Sequence, residues 1–217
     1  MKIKELVNQK FKEIGQLIFG LILFIVLLAF RIKVTKEVFL LFLSWNLILA
    51  LIPLVITLIL YKNPSLMAKR WTKAVFTFLW LLFLPNAPYI ITDFIHLKFS
   101  TSTYLLLDTL IISIAALTGF LSGVYSFRIM KEFYSLNYPK KIIGVFTVFI
   151  SFLCGFGVYL GRVIRLNSWD FFFNPMNTIL MMLESITQPL AWITTIIFGL
   201  LMLIALFKLD SNKVDKN

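Results

Sequence analysis

The residues most able to support chemistry lie in one short stretch, 84–96, which holds the only histidine of the chain. Asp93 and His96 are three residues apart and would share one face of a helix. Such a pair could bind a divalent metal, or act as a base and the group that orients it. A structural hydrogen bond is the simpler interpretation, so Asp93 and His96 are candidates for catalysis rather than identified catalytic residues.

A zinc site would need more ligands than this pair, because two residues do not complete a coordination shell. Asp108 and Asp170 are the additional carboxylates that the chain could supply. The sequence leaves both the metal and any cofactor unknown.

Two prolines precede the pair and flank an amide side chain. Proline has no N–H, so Pro85 and Pro88 leave the carbonyls of Leu81 and Leu84 without their helical partners. Asn86 could donate to free carbonyls or to a ligand. Broken helices at membrane depth often line binding sites. A kink that only ends the helix explains the prolines equally well.

A second polar segment lies about 70 residues later, at 161–170. Arg162 and Arg165 are three residues apart, and arginine forks bind phosphate and carboxylate groups through two hydrogen bonds. Asn167 and Asp170 add hydrogen-bonding and turn-forming groups, and Trp169 suits the head-group level of a membrane. The pattern predicts an anion-binding site, and an Arg165–Asp170 ion pair with an aromatic anchor is the alternative.

The composition determines which elements must position these residues. Hydrophobic residues make up 60% of the chain and charged residues only 14%, against about 25% charged in soluble domains. We therefore expect an all-α, polytopic transmembrane helical bundle that forms one transmembrane domain. The apolar runs predict six spans, at residues 14–30, 38–61, 74–91, 104–127, 142–160 and 189–207.

The distribution of basic residues predicts the orientation of these spans. The net charge of +11 does not indicate nucleic-acid binding, because the basic residues cluster between apolar runs. Of 21 Lys and Arg residues, 15 lie in the two termini and the even-numbered connections, and 6 lie in the odd-numbered ones. The positive-inside rule then places both termini in the cytoplasm, and the segments of Asp93 and Arg162 together outside.

Three further features carry separate expectations. Asp108 lies four residues into the fourth span, where an ionisable group is a functional-site hypothesis, with snorkelling or a bond to another helix as the alternative. Gly155, Gly157 and Gly161 are expected to let helices approach closely. Asn174-Pro175 predicts the N-cap and first residue of a short amphipathic helix on the outer membrane surface.

Taken together, the two polar segments resemble a family of bacterial multi-pass membrane proteins known only as domain of unknown function 1361. The shared pattern is Leu-Pro-Asn-Ala-Pro-Tyr followed by Thr-Asp and then His, and later Asn-Ser-Trp-Asp after an arginine. The resemblance covers the chain from about the second span to the sixth. It implies a bacterial cytoplasmic-membrane protein with no established activity, and it assigns no catalytic residue.

These observations leave three classes of function open. The first is a membrane protein whose outward-facing polar site binds an anionic lipid or an envelope-related ligand, or docks another membrane protein. The second is a membrane enzyme acting on a lipid-linked or phosphate-bearing substrate, although the chain lacks the common hydrolase motifs. The third is a small transporter or an accessory subunit. We prefer the first, with these ligand-binding candidates: Asn86, Asp93, His96, Asp108, Arg162, Arg165, Asn167, Trp169 and Asp170.

Overall fold

The chain folds into helices, as its composition predicts. The computed structural model describes the backbone of residues 2–214 and the side chains of residues 13–209. This part of the chain contains no strand, which confirms the all-α class. The α-helices are α1 (Lys2–Thr35), α2 (Phe42–Lys62), α3 (Ser65–Ala68), α4 (Arg70–Phe83), α5 (Asn86–Tyr89), α6 (Leu105–Ser135), α7 (Lys140–Tyr159), α8 (Asp170–Phe173), α9 (Pro175–Ser185) and α10 (Pro189–Val214).

Six helical stretches in the described residues are long and apolar enough to cross a membrane, which confirms a multi-pass bundle of six spans. The third consists of α4, α5 and a 3₁₀ helix at Ile90–Phe99, and the fifth continues from α7 into a π turn at Leu160–Ile164. The six stretches are Glu13–Thr35, Phe39–Lys62, Arg70–Phe99, Leu105–Ser135, Lys140–Ile164 and Pro189–Leu209.

The two ends of the bundle carry different residues. At one end Arg128 on α6 pairs with Glu13 on α1, with 2.6 Å between Nη1 and Oε1. Leu209 of α10 packs against α1 and α6 at the same end. We call this end of the bundle the basic end, because it also carries Lys62, Arg70 and other basic residues. The opposite end carries the 3₁₀ helix and the π turn, and we call it the cleft end. Which end faces the cytoplasm stays a prediction, and six of the lysines that support it lie outside the described side chains: Lys2, Lys4, Lys10, Lys12, Lys213 and Lys216.

The centre of the bundle is α6, the most buried of the six spans. It packs against α1, α2, α5 and the 3₁₀ helix. Its polar side chains bond to backbone carbonyls or to side chains of neighbouring helices, and Ser122 Oγ donates to the Ala50 carbonyl at 2.8 Å. Ala50 follows Leu49, whose carbonyl lacks its helical donor because Pro53 has no N–H.

The final span, α10, packs mainly on α7. A Cβ atom on Gly155 would overlap the backbone of Thr195 and Gly199 on α10. This confirms that Gly155 serves close helix packing, and Cys154 beside it is buried in an apolar cluster.

The predicted short helix forms as α9 and begins with Pro175. Asn174 occupies the N-cap position, but its side chain makes no capping hydrogen bond, contrary to the expectation. Thr178 and Ser185 are buried against the protein, whereas Met176 and Leu180 are at least half exposed. The location of α9 at a membrane surface stays a prediction.

Candidate functional site

The third span is broken at the two prolines, and three backbone carbonyls there accept other hydrogen bonds. The Leu84 carbonyl, which Pro88 cannot serve, accepts a bond from the Ala87 N–H at 3.1 Å. Asn86 Nδ2 donates to the Phe83 carbonyl at 2.9 Å, so this amide serves a backbone carbonyl at the break, although not one of the two that Pro85 and Pro88 leave free. Its contact with a ligand stays a prediction. Ser168 Oγ, from the second polar segment, donates to the Leu82 carbonyl at 3.0 Å.

Glycines on two neighbouring helices hold the broken segment. A Cβ atom on Gly123 of α6 would overlap Ala87, and one on Gly157 of α7 would overlap Pro85. The Tyr89 ring packs close to the Cα of Gly161, where a Cβ atom would crowd it. The segment is therefore pressed into the bundle between α6 and α7, and Gly157 and Gly161 have the packing role that their spacing predicts.

Asp93 and Arg162 form the central contact of the site. Asp93 is fully buried, and its Oδ1 lies 2.5 Å from Nη2 of Arg162. Its Oδ2 accepts a hydrogen bond from Asn46 Nδ2 of α2 at 2.8 Å. Arg162 Nε donates to Thr92 Oγ1 at 2.6 Å, and the guanidinium lies 4.5 Å from the centre of the Tyr89 ring. The second, third and fifth spans thus meet at one carboxylate.

His96 lies at the edge of this network. Its Nε2 is 3.9 Å from Asp93 Oδ1, which is longer than a hydrogen bond. The imidazole packs on Phe42, with ring centres 4.5 Å apart. Asp93 and His96 are therefore close, as the spacing predicts, but Arg162 rather than His96 is the bonded partner of the carboxylate.

The remaining residues of the second segment take other positions. Asp170 Oδ2 accepts bonds from the Asn167 backbone N–H at 2.7 Å and from Asn167 Nδ2 at 3.3 Å. This capped turn replaces the alternative Arg165–Asp170 ion pair. Arg165 is exposed, with a left-handed φ of 64° at the end of the π turn. Trp169 packs edge-on against Trp45 of α2, with ring centres 6.0 Å apart.

Asp108 belongs to a separate buried cluster. Its Oδ1 accepts a bond from Arg31 Nε at 2.9 Å, and its Oδ2 accepts one from Ser100 Oγ at 2.5 Å. Arg31 also pairs with Glu37, at 3.1 Å. The carboxylate thus bonds to a neighbouring helix, as the alternative reading of Asp108 proposed.

A cleft of about 350 Å³ opens beside the break. Apolar side chains from α2, α4 and α7 form its walls, including Leu49, Leu82 and Phe156. Polar side chains also line the cleft, and these are Asn46, Asn86, Tyr89, Asn167, Ser168 and Thr178. Asn86 and Tyr89 belong to the broken segment, and Ser168 is bonded to Asn86, so we call the part of the cleft that they line its polar end. No charged side chain in the described residues lines the cleft.

Several residues that bond to Asp93, Arg162 or Asp108, or that line the cleft, were not predicted from the sequence. Asn46 is a single amide in an apolar span, and that polarity was the one available signal. Thr92 and Tyr89 lie within the first segment but have no distinguishing spacing. Arg31 resembles an ordinary flanking cation at the end of a span.

The metal hypothesis gains no support from the geometry. The described residues contain no group of three His, Cys, Asp or Glu side chains that could hold an ion. Asp108 and Asp170, the two carboxylates suggested as additional ligands, are each bonded within separate clusters.

Comparison with known proteins identifies the family alone. A search of curated proteins and a search of solved structures gave no match. The family model described as "Protein of unknown function (DUF1361)" matches residues 45–205, which include most of α2, both polar segments and most of α10. The chain therefore belongs to the DUF1361 family.

Proposed function

We propose that this integral membrane protein binds an amphiphilic membrane component, a lipid or a lipid-linked envelope compound, in the cleft. The observation that carries the proposal is the distribution of polarity within the cleft, which has apolar walls and polar groups at one end. Its volume lies within the range of about 300–1,000 Å³ that is typical of ligand sites. A hydrocarbon chain fits the walls, and a head group fits the polar end.

The packing of the third span supports access from the bilayer. The cleft lies where α2, α4 and α7 meet the broken segment, and part of its lining is exposed on the outside of the bundle. Trp45, Phe78 and Leu153 belong to this lining and are 54%, 40% and 37% exposed. Side chains of this kind would contact acyl chains, so a lipid could enter sideways without first passing through water.

The charge of the ligand is the second part of the proposal. Arg162 is already neutralised by Asp93, so it is a poor partner for an additional anion. Arg165 is exposed and directly precedes Leu166 and Asn167, which line the cleft. We therefore assign the anionic group of the ligand, such as a phosphate, to the rim beside Arg165.

The same reasoning favours binding over proton transfer. A general base needs a carboxylate oxygen within reach of its substrate. Both oxygens of Asp93 are occupied, by Arg162 and by Asn46. We further propose that the protein lies in a bacterial cytoplasmic membrane with the cleft end outside, as its basic residues predict.

A photoactivatable lipid tests this proposal. Protein in bilayer nanodiscs would be irradiated with a diazirine-bearing phosphatidylglycerol, and the labelled peptides would be mapped. We expect labelling to concentrate on α2, α4 and α7 at the cleft, above the level on the lipid-facing side of α6 near Leu117, which is 61% exposed. Labelling spread evenly over all exposed apolar residues would overturn the proposal.

A further inference from the structure

The hydrogen-bonding groups at the polar end of the cleft point to a class of head group. We infer that the part of the ligand that enters the cleft carries hydroxyl groups, as a glycerol or sugar head does. This inference rests on the proposed binding of an amphiphile in the same cleft.

Most hydrogen-bond donors of the side chains at the polar end already bond within the protein. Asn86 Nδ2 has two N–H groups, and it donates to the Phe83 carbonyl and to Ser168 Oγ. The Ser168 hydroxyl donates to the Leu82 carbonyl. Asn46 Nδ2 donates one of its two N–H groups to buried Asp93. These three side chains thus use all but one of their donor hydrogens within the protein, and among the described residues the second Asn46 N–H and the Tyr89 O–H stay available.

Acceptors remain at the same place. Asn86 Oδ1, Asn46 Oδ1 and the Tyr89 hydroxyl accept no hydrogen bond from the described part of the chain. All three residues line the cleft and are partly exposed. A ligand group at this position must therefore donate to the two amide oxygens, and it can also accept from the Tyr89 hydroxyl and the second Asn46 N–H.

This requirement separates the common head groups. An ionised phosphodiester offers only acceptor oxygens, so it suits the rim at Arg165 and not the amide oxygens of the cleft. An ammonium group offers donors but would lack a countercharge, because no carboxylate in the described residues lines the cleft. A hydroxyl group donates, accepts and carries no charge, and it suits all three acceptors.

Two lipids of equal charge test the inference. Phosphatidylglycerol and phosphatidylmethanol each carry one phosphodiester charge, but only the former has head-group hydroxyls. Their binding to the full-length protein would be measured by native mass spectrometry of protein in nanodiscs. We expect phosphatidylglycerol to bind about five-fold more tightly for each hydroxyl bond formed. Soluble glycerol phosphate should not compete, because it lacks the chain.

A conservative variant locates the effect. Tyr89→Phe removes the free hydroxyl and keeps the ring beneath Arg162, so it should reduce the preference for phosphatidylglycerol. Tyr104→Phe is the matched control, because Tyr104 also lies against an arginine, 5.2 Å from Arg31, but does not line the cleft. This control should keep the full preference.

The possible failures are distinguishable. Equal binding of the two lipids, with both lost when a bulky residue fills the cleft, would refute the hydroxyl inference and leave the proposed function intact. Tighter binding of phosphatidylethanolamine would refute it in favour of an ammonium head group. Lipid binding that is unchanged when a bulky residue fills the cleft would overturn both proposals.

Discussion

Asp93 is the residue whose environment most constrains the cleft end. It is fully buried, and its single strong countercharge is Arg162 on a different span. A buried carboxylate that loses its partner pays a desolvation penalty of several kcal/mol. The pair therefore acts as a tie between the third and fifth spans, and its removal should loosen the walls of the cleft.

Replacement of Arg162 tests this tie. We expect Arg162→Gln to destabilise the protein by about 2–4 kcal/mol, because it leaves Asp93 buried with Asn46 alone. Thermal unfolding in detergent would measure the loss. Arg165→Gln is the matched control and should cost less than about 1 kcal/mol, because Arg165 is exposed.

A double variant separates the lost ion pair from lost packing. Arg162→Gln combined with Asp93→Asn should recover part of the stability, since no unpaired charge remains. Equal losses of stability in Arg162→Gln and Arg165→Gln would show that the Asp93–Arg162 pair does not hold the two spans together.

At this scale the sequence predicted about half of the site. It identified Asp93, His96, Arg162 and Asn86 as candidates, because polar groups beside prolines or in apolar spans are unusual. It did not predict that Arg162 would bond to Asp93 and leave Arg165 free. The pairing depends on how the fifth span is turned against the third, and no local pattern records that angle.

At the scale of elements, the break at Pro85 and Pro88 works together with glycines on other helices. Prolines leave carbonyls free, and the amide of Asn86 and the hydroxyl of Ser168 satisfy two nearby ones. Gly123 and Gly157 have no side chains, so the broken segment can pack closely against α6 and α7. Six spans were predictable because each requires only about 20 apolar residues, whereas the 3₁₀ helix and the π turn follow from tertiary packing.

Two glycine substitutions test this account of packing. Gly123→Ala should destabilise the protein by about 1–3 kcal/mol, because its Cβ would overlap Ala87 of the broken segment. Gly144→Ala is the matched control, since no atom lies within 4 Å of the Cβ position there. This substitution should leave the stability unchanged or raise it by up to about 1 kcal/mol, because alanine favours the helix more than glycine does. Similar melting temperatures for the two variants would argue against close packing at Gly123.

At the scale of the whole molecule, the distribution of charge separates two ends of unequal chemistry. The basic end holds most of the lysines and arginines, and the cleft end holds the two buried carboxylate clusters of Asp93 and Asp108. The bundle is therefore polarised along the direction in which it would cross a membrane. The positive-inside rule then predicts the basic end in the cytoplasm.

Cysteine labelling in intact cells tests the orientation. Thr101 at the cleft end and Asn137 at the basic end are both exposed, and the native Cys154 is buried. We expect a membrane-impermeant maleimide to label Thr101→Cys in intact cells and Asn137→Cys only after permeabilisation. The reverse pattern would place the cleft on the cytoplasmic side.

A lipid bound in the cleft beside the broken third span should stay with the protein through purification. The most direct measurement is the lipid retained by the purified protein, counted by native mass spectrometry, after Leu49→Trp fills the cleft. Leu117→Trp adds the same bulk to an exposed position on α6 and serves as the control. We expect the filled-cleft variant to lose the retained lipid and the control to keep it. Equal lipid occupancy in two folded variants would show that the cleft does not hold the lipid.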